Sequence, residues 1–587
     1  METLEKTAHH WVEIPAGDVG DAVIAAMAQG GVDHLFFTSG AEIVWYQEAI
    51  AKATAHRRPA PRLITMTHEH ASLNAALGYA AVSGKPVATA VHVDAGTYNY
   101  GGAIHTAAHA GLPIMITAGT PPVSYPGSLR GARDRGGHLW LQQTFDQNGI
   151  IRNYVKWDHR LEYQDNPGLM ASRALQVAQT EPRGPVYLSV PREVSLLPAR
   201  DTSFPTAAQL GIPRPAAPDP EGIREIAQHL LAAERPYLVV SSSGRDPKTL
   251  PALVTLCELL ALPVATSAFR AYHCFPMTHP LNLGLVRLSD ADAVLVLEAN
   301  VPWVPGPAAP PQSAYVAVID PDPIKQRTPT YEFTADLRLT AGSLGAIEAL
   351  TGAVRSMMTD ADRERIAARA GFSEVHAAQM EELEHDAQTR AKTTPIDKLW
   401  LSHEIGVFAG EDTIVFDETL PHNKLERYLK CSQPGSYFAN PASSGGYTPG
   451  AAFGAKLAAP DRHVIAVTGD GFYMFSTANA ALWAGAHYKV PFTVVVYQNR
   501  AYSTGTLQVS SVYPDSYAAK TGYEGGTFDP PIDFAKEAEA AGAYGENVRD
   551  PGEILPALRR AREANERGLP AVVSVWVEPL VNTPSWE

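Results

Sequence analysis

The chain is poor in cysteine: its 587 residues include only Cys257, Cys274 and Cys431. These three are widely separated and form neither a CxxC pair nor a metal-ligand spacing, which excludes a disulfide-stapled scaffold and a cysteine-based zinc site. We therefore expect reduced, structural thiols in a cytoplasmic protein. The N-terminal segment lacks an apolar h-region, so we expect no secretory signal peptide.

Long apolar runs and an excess of basic residues are also missing. No apolar run reaches the length of a membrane span, so no membrane association is expected. The formal net charge of −15 repels a polyanion, which makes nucleic acid an unfavourable partner. Hydrophobic residues at 45% and charged residues at 19% are typical of a globular protein. A chain of 587 residues is too long for one core and predicts two or three domains.

Short apolar runs alternate with amphipathic helical stretches along the whole chain, which predicts an α/β fold with mostly parallel sheets flanked by helices. A proline-rich segment and a charged helical stretch separate three such blocks. The predicted division is a first domain at 1–195, a linker at 196–219, a central domain at 220–355, a helical linker at 356–393 and a third domain at 394–587.

The most informative segment lies in the third block. An apolar run over residues 463–468 ends in Gly-Asp-Gly at 469–471, and a second apolar run over 492–497 is followed by Gln-Asn. Parallel strands would place Asp470 and Asn499 at the same edge of a sheet, where α/β folds bind ligands. Hard oxygen ligands beside a helix N-terminus suit Mg²⁺ holding a diphosphate. The alternative is that both residues are ordinary turn residues.

The spacing resembles the diphosphate-binding motif of thiamine diphosphate (ThDP) enzymes. The resemblance implies that Asp470, Asn499 and the backbone carbonyl of Ala501 bind Mg²⁺. The family commonly has two consecutive asparagines, and Gln498 stands in place of the first. Because the second asparagine is usually the ligand, this departure is expected to cost little.

A strand-to-helix junction in the first block carries Glu69. Taken alone, Glu69 is most simply a first-turn acidic residue that favours the helix dipole. However, the run from His68 through residues 91–103 to 113–119 resembles the pyrimidine-binding domain of ThDP-dependent decarboxylases and synthases, such as benzoylformate decarboxylase and acetolactate synthase. Together with the Gly-Asp-Gly motif, the resemblance covers essentially the whole chain. It implies three domains: pyrimidine-binding, central and diphosphate-binding.

The resemblance also assigns catalytic roles. In the family, a glutamate at the position of Glu69 hydrogen-bonds the aminopyrimidine ring and activates the cofactor. His92 matches a catalytic histidine that handles protons, and its pKa range suits that task. Gln142 matches a glutamine that lines the substrate channel. The alternatives are a satisfied strand-end histidine and a polar residue on a helix surface.

Glycines and small polar residues of two further loops are expected to approach the cofactor closely. Gly445 aligns with the bulky residue that normally props the cofactor, so either Tyr447 supplies the wedge or the alignment is shifted by a residue or two. The usual Ser/Thr phosphate contact aligns with Leu420 and Pro421, which leaves the register of that loop open. The remaining predicted cofactor contacts are Thr419, Ser443, Ser444, Gly469, Gly471, Phe472 and Tyr502.

The central domain binds FAD or ADP in some relatives and is empty in others. Residues 319–322 could end a strand at a nucleotide ribose, but the proline-rich residues 300–306 lack the arginine expected for FAD. A domain that only packs and shapes the channel is favoured.

The predicted activity is decarboxylation of a 2-oxo acid, carboligation of the acetolactate synthase type, or both. One alternative is a 2-hydroxyacyl-CoA lyase, against which the short acidic C-terminus counts because it offers no basic tail for CoA. The other is a non-catalytic member of the fold, against which intact Glu69, Asp470 and Asn499 argue. The family places each cofactor between two subunits, which implies a homodimer or a dimer of dimers (a homotetramer).

Overall fold

A computed structural model describes residues 11–14, 17–133, 136–199, 203–267, 269–369 and 371–579. The first ten residues, where no signal peptide was predicted, lie outside the described residues. The end of the acidic C-terminus, where no basic tail was predicted, also lies outside them. Within the described part of the chain, no helix has both the length and the apolar character needed to cross a membrane.

Parallel sheets dominate the architecture, as the alternating apolar runs predict. The strands are β1 Val12–Glu13, β2 His34–Phe37, β3 Arg62–Thr65, β4 Val87–Val91, β5 Ile114–Thr120, β6 Asp158–Arg160, β7 Val186–Pro191, β8 Ser203–Phe204, β9 Pro236–Val240, β10 Val264–Thr266, β11 Asn282–Gly284, β12 Ala293–Leu297, β13 Tyr315–Asp320, β14 Leu337–Thr340, β15 Ile414–Glu418, β16 Tyr437–Ala439, β17 Val464–Gly469, β18 Thr493–Gln498, β19 Tyr544–Val548 and β20 Ala571–Trp576.

Helices follow most strands. They are α1 Val19–Gln29, α2 Trp45–Ala55, α3 Glu69–Ser83, α4 Val93–Asn99, α5 Gly102–Ala110, α6 His138–Leu141, α7 Pro167–Gln179, α8 Arg192–Ser195, α9 Ala207–Leu210, α10 Pro220–Ala232, α11 Thr249–Leu260, α12 Ser343–Met357, α13 Asp360–Ala368, α14 Gly371–Arg390, α15 Lys398–Phe408, α16 Leu425–Tyr428, α17 Thr448–Ala458, α18 Asp470–Phe475, α19 Ala478–Tyr488, α20 Ser503–Val512, α21 Tyr517–Lys520, α22 Phe534–Ala540 and α23 Ile554–Glu566.

The chain divides into two compact units. The first comprises residues 1–213, 442–460 and 474–490, and the second comprises 214–441, 461–473 and 491–587. In the first unit, six parallel strands lie in the order β3-β2-β4-β5-β7-β6, and the short strands β1 and β8 pair antiparallel. Apolar residues of α1 and α7 pack with inward-facing strand residues to form its core.

The second unit contains two further parallel sheets of six strands each. The central sheet has the order β11-β10-β9-β12-β13-β14, and the third-block sheet has the order β16-β15-β17-β18-β20-β19. The strands β12, β17 and β18 are almost continuously buried, which explains the unbroken apolar runs there in the sequence. The described residues therefore carry the three parallel-sheet domains that the sequence predicts.

The charged stretch predicted as a helical linker contains a buried residue. It forms two helices, α13 and α14, and Arg369 between them is 4% exposed. The Arg369 guanidinium donates hydrogen bonds to the carbonyl oxygens of Leu230 and Leu260. Arg369 thus has a structural role, because it donates to helix-end carbonyls that have no partner within their helices. The charge of the residue alone would predict an exposed position.

Candidate active site

Three ionisable side chains of the first unit follow three neighbouring strands. Glu69 begins the helix after β3, Glu42 lies in a 3₁₀ turn after β2, and His92 follows β4. Because these strands are parallel and adjacent, their carboxyl ends meet at one edge of the sheet. Two of the three were predicted from the sequence, and Glu42 was not.

Glu69 occupies the first turn of α3. His68 is the extended N-cap residue, and its Nδ1 accepts a hydrogen bond from the His70 backbone N–H at 3.2 Å. The Glu69 side chain is half-buried, and the Asn99 amide donates to its Oε2 at 3.4 Å. The cap thus fixes the start of the helix and leaves the Glu69 carboxylate with a single long hydrogen bond among the described residues.

Close packing holds α3 in place. A Cβ atom at Gly78 would lie 2.0 Å from the carbonyl oxygen of Ala451 on α17, and a Cβ atom at Gly454 would lie 1.8 Å from that of Ala75. These two helices therefore approach to backbone contact, which only glycine permits. The Ala-rich pattern around Glu69 is the pattern of a helix buried on all sides.

His70, the neighbour of Glu69, is structural. It is 7% exposed, and burial lowers its pKa to about 4. Its ring lies within hydrogen-bonding distance of Asn74, at 3.3 Å, and bonds the backbone of Ser476. The neutral His70 imidazole projects from α3 and packs against the residues before α19, so it is not available for proton transfer.

His92 lies against a fully buried carboxylate. Its Nδ1 is 2.6 Å from Oε2 of Glu42, whose side chain is 0% exposed, whereas the His92 side chain is 22% exposed. The two atoms are at hydrogen-bond distance although they are poorly aligned, and the pair carries opposite charges only when the imidazole is protonated. Among the described residues, Glu42 has no arginine or lysine partner, which leaves His92 as its counter-group.

The opposite nitrogen of His92 meets Gln142. The Gln142 Nε2 and His92 Nε2 atoms are 2.8 Å apart, and the Gln142 Oε1 atom is buried without a hydrogen-bond partner. The structure therefore brings together two residues, His92 and Gln142, that the sequence singled out separately. Among the described residues, no hydrogen bond or ion pair joins either one to Glu69.

The second unit carries Asp470 at the junction of β17 and α18. Its Oδ1 accepts from the Gly471 N–H at 2.9 Å and its Oδ2 from the Arg500 N–H at 2.5 Å. Asp470 is 1% exposed, and burial raises its pKa to about 7 despite these two donors. The Arg500 charge offsets only part of the cost of burying this carboxylate, so a further cation would be favoured at this point.

Asn499 follows the neighbouring strand β18, as predicted. Its Oδ1 accepts from the Ala501 N–H at 2.9 Å, and its Nδ2 donates to Ser503 Oγ at 2.6 Å. Gln498, in place of the usual first asparagine, is 1% exposed, bonded to the carbonyl of Ile532 and to the hydroxyl of Ser574. The amide group of Gln498 therefore has hydrogen-bond partners inside the core.

This donor set fits a hard divalent cation. The carboxylate of Asp470, the amide oxygen of Asn499 and the carbonyl of Ala501 are the oxygen types that Mg²⁺ prefers. Within the described residues, no three His, Cys, Asp or Glu side chains cluster to offer a competing metal centre. The Asn499 and Ala501 oxygens already accept local backbone hydrogen bonds and keep further lone pairs for a ligand.

Several predicted contacts surround Asp470 in the second unit. A Cβ atom at Gly471 would lie 2.9 Å from the Tyr502 ring, which requires glycine there. The Tyr502 ring packs edge-on against Phe528 with centroids 4.6 Å apart, and Phe472 is half-buried. Gly469 has no heavy atom within 4 Å of its Cβ position, so space remains open above the strand end.

Thr419 follows β15, the strand on the other side of β17. Its backbone N–H and hydroxyl donate to Asp417 Oδ1 at 2.8 and 2.7 Å. Asp417 also accepts from the Tyr437 hydroxyl at 2.7 Å, and burial raises the Asp417 pKa. Sequence reasoning missed Asp417, although its place at the end of an apolar run is the same signal that marks Asp470.

The loop at 443–447 lies in the first unit. Ser443 is exposed, Ser444 and Gly445 are half-buried, and Tyr447 is 3% exposed before α17. Gly446 has a φ of +99°, and its Cβ would lie 2.7 Å from the backbone of Phe475, so glycine is required there.

The central sheet ends in side chains that bond one another. Glu298 follows β12 with a φ of +44°, and its Oε2 accepts from Arg245 at 2.8 Å while the Ser343 hydroxyl donates to Oε1. Asp320 pairs with Lys325 at 2.5 Å, and burial raises the Asp320 pKa to about 6. The strand order reverses between β9 and β12, so Glu298 lies at the crevice where this topology usually binds nucleotides.

Comparison with known families places all three blocks. The chain matches the N-terminal TPP binding domain of thiamine pyrophosphate enzymes over residues 17–150, their central domain over 223–344 and their C-terminal TPP binding domain over 421–575. Each match falls inside one of the three domains predicted from the sequence.

Curated relatives include decarboxylases and synthases. The chain is 28% identical to benzoylformate decarboxylase of Pseudomonas aeruginosa, covering 88% of this chain and 93% of that protein. It is 23% identical to a probable acetolactate synthase large subunit of Methanocaldococcus jannaschii, over 96% and 92% of the two chains. A solved thiamine diphosphate-dependent 4-hydroxybenzoylformate decarboxylase of Rhodococcus jostii shares the fold, with a TM-score of 0.75, 21% identity and coverage of 96% and 99%.

Proposed function

Because the chain belongs to the family of thiamine pyrophosphate enzymes, we propose that it is a ThDP- and Mg²⁺-dependent enzyme that decarboxylates a 2-oxo acid, with or without ligation of the product to a second carbonyl compound. The observation that carries this proposal is the buried carboxylate of Asp470, whose neighbours Asn499 and Ala501 offer further oxygen ligands.

In this proposal, Asp470, Asn499 and the Ala501 carbonyl would hold Mg²⁺ for the diphosphate. ThDP, when bound, would supply a carbon nucleophile for addition to a carbonyl. Glu69 bonds the aminopyrimidine ring, for which its half-buried carboxylate is available since it has only one long hydrogen bond. His92 moves a proton at the substrate, and Gln142 borders the channel beside it.

The remaining predicted contacts complete the cofactor site. Gly469, Gly471, Phe472 and Tyr502 surround the diphosphate, and Thr419 is oriented towards the same sheet edge by Asp417. Ser443, Ser444, Gly445 and Tyr447 approach the cofactor from their loop. We propose a homodimer or a dimer of dimers in which each cofactor is bound between two subunits.

The central domain is proposed to bind no nucleotide. Glu298, Arg245 and Ser343 bond one another in its crevice, so the Arg245 guanidinium is already paired with a carboxylate and is not positioned to bind the diphosphate of FAD or ADP. The three cysteines are buried free thiols, which agrees with the predicted reducing, cytoplasmic compartment.

The histidine at position 92 favours decarboxylation over the CoA-lyase alternative. The curated relatives also include a probable 2-ketoarginine decarboxylase of Pseudomonas aeruginosa, 27% identical over 82% of each chain, so acids with aromatic, aliphatic and guanidino side chains all belong in a substrate panel.

The test is CO₂ release from benzoylformate, pyruvate, 2-oxobutyrate and 2-ketoarginine, with ThDP and Mg²⁺. We expect release from at least one acid that stops when either cofactor is omitted and in the Glu69→Gln variant. No release from any 2-oxo acid, with ThDP still bound, would overturn the proposal in favour of a lyase acting on 2-hydroxyacyl substrates.

A further inference from the structure

Glu42 and Gln142 lie on opposite sides of the His92 imidazole, one beside each ring nitrogen. Glu42 Oε2 lies 2.6 Å from Nδ1, and the Gln142 amide lies 2.8 Å from Nε2. A neutral imidazole has one N–H donor and one lone pair, whereas an imidazolium has two donors. The two flanking groups therefore decide which nitrogen carries the proton.

Glu42 offers only an acceptor. Its carboxylate is fully buried, and among the described residues His92 is its single ionic partner. A buried carboxylate without a hydrogen-bond donor is costly, which favours an N–H on Nδ1 of His92. In the neutral ring, Nε2 then carries the lone pair and accepts from the Gln142 amide N–H.

Gln142 offers both a donor and an acceptor. Its N–H₂ group can donate to the lone pair on Nε2 of the neutral ring. After His92 gains a second proton, Nε2 is also a donor, and the two N–H groups would repel each other. Rotating the amide by half a turn would present Oε1, the atom that is buried and unpartnered in the present arrangement. After this rotation, the Gln142 Oε1 atom would accept a hydrogen bond from the protonated Nε2 of His92.

We propose that Glu42 is a positioning residue that fixes His92 as the Nδ1–H tautomer, and that the Gln142 amide turns over each time His92 takes up or releases a proton at Nε2. One proton enters at Nε2, the Gln142 N–H···N bond breaks, and an N–H···O bond to Oε1 replaces it. This inference rests on the proposed function for its catalytic meaning, because His92 is the proposed proton carrier.

Other ionisable groups lie on the elements that carry or neighbour these residues. Asp94 lies on α4, which follows His92, Glu69 begins α3, and His138 begins α6, where Arg133 lies over the Trp140 ring. Burial raises the pKa of the tyrosines on the same side, which keeps them neutral; these are Tyr46, Tyr100 and Tyr187. Glu42 and Gln142 alone touch the ring nitrogens among the described residues.

The test is ¹⁵N NMR of the imidazoles in the full-length, cofactor-free protein with labelled histidine, at a series of pH values. The chain has 20 histidines, so the His92→Asn variant assigns the His92 signals by difference. The variants are Glu42→Gln, Gln142→Glu and, as a matched control, Gln143→Glu at the exposed neighbouring residue.

In the wild type we expect the neutral His92 ring as the Nδ1–H tautomer. Glu42→Gln should shift the tautomer ratio towards Nε2–H by about tenfold or more, because an amide no longer demands a donor. Gln142→Glu should leave both nitrogens protonated at neutral pH, and Gln143→Glu should match the wild type. Thermal melts verify that each variant is folded.

An Nε2–H tautomer in the wild type would overturn the proposal, as would identical His92 spectra in Gln142→Glu and Gln143→Glu. If Glu42→Gln does not fold, the Gln142→Glu spectra still decide. The readout needs neither cofactor nor substrate, so a failure of CO₂ release would refute the proposed function without refuting the tautomer assignment.

Discussion

In the first unit the strands run β3-β2-β4-β5-β7-β6, and in the third-block sheet of the second unit they run β16-β15-β17-β18-β20-β19. Counted from the first strand of each sheet, the two orders are the same, and every pairing in both is parallel. The two sheets therefore share one topology.

The carboxyl edges of these two sheets carry different chemistry. The edge in the first unit carries ionisable groups, Glu69, Glu42 and His92. The edge in the second unit carries oxygen donors fit for a metal, Asp470, Asn499 and Ala501. We propose that one topology supplies both halves of the cofactor site, and that the residues after each strand decide which half it is.

The largest effect is expected at the proton-handling edge. Glu69→Gln should lower the rate of CO₂ release by about 1000-fold, because the amide cannot share a proton with the cofactor. ThDP and Mg²⁺ binding, measured by calorimetry, should persist. The matched control is Glu48→Gln, which changes an exposed glutamate on α2. Near wild-type turnover in Glu69→Gln would remove Glu69 from the mechanism.

At the metal edge the expected loss is of binding. Asp470→Asn should weaken Mg²⁺-dependent ThDP binding by about 100-fold or more, since the charged ligand is lost. Asp461→Asn, at an exposed aspartate before the same strand, serves as control. If Asp470→Asn binds ThDP and Mg²⁺ as the wild type does, the two edges do not divide the chemistry as proposed.

The helix that carries Glu69 depends on its close crossing with α17. Gly454→Ala would place a Cβ atom 1.8 Å from a backbone oxygen, which should destabilise the protein by about 3 kcal/mol. Gly352→Ala in α12 meets nothing within 4 Å and should be neutral or stabilising by about 1 kcal/mol. Thermal melts of both variants compare the two, and equal melting temperatures would contradict the packing argument.

The smallest effect concerns pH. The pKa of His70 is about 4 in the folded protein and 6.5 in the free side chain. Between these two pH values the unfolded chain binds a proton at His70 that the folded chain does not bind. Stability therefore falls as pH drops, by about 2 kcal/mol from pH 7 to pH 5 for this group. His70→Gln should show a shallower decline in melting temperature over that range, and an unchanged slope would contradict the assignment.

Sequence patterns predicted the parts of the fold that depend on local chemistry. The apolar runs located β17 and β18 to within one residue, because strands buried on both faces are continuously apolar. The predictions of Asp470 and Asn499 as neighbours follow from the same parallel-strand argument, and the structure places them directly after adjacent strands.

Other features depend on contacts that no local pattern reports. The short strands β10, β11 and β14 of the central sheet have too few residues for a period to show. Glu42 carries no motif, and its importance is visible only once β2 and β4 are seen to be neighbours. The pairing of His92 with Gln142 likewise joins residues 50 positions apart.

We propose that the two like sheets each supply one half of a cofactor site that two subunits share. The most direct measurement mixes the inactive Glu69→Gln and Asp470→Asn variants under conditions that exchange subunits, then assays ThDP-dependent CO₂ release. If each site takes one edge from each subunit, mixed dimers contain one intact site, and about a quarter of wild-type activity should return. No recovery, with mixed dimers verified by native mass spectrometry, would contradict the account.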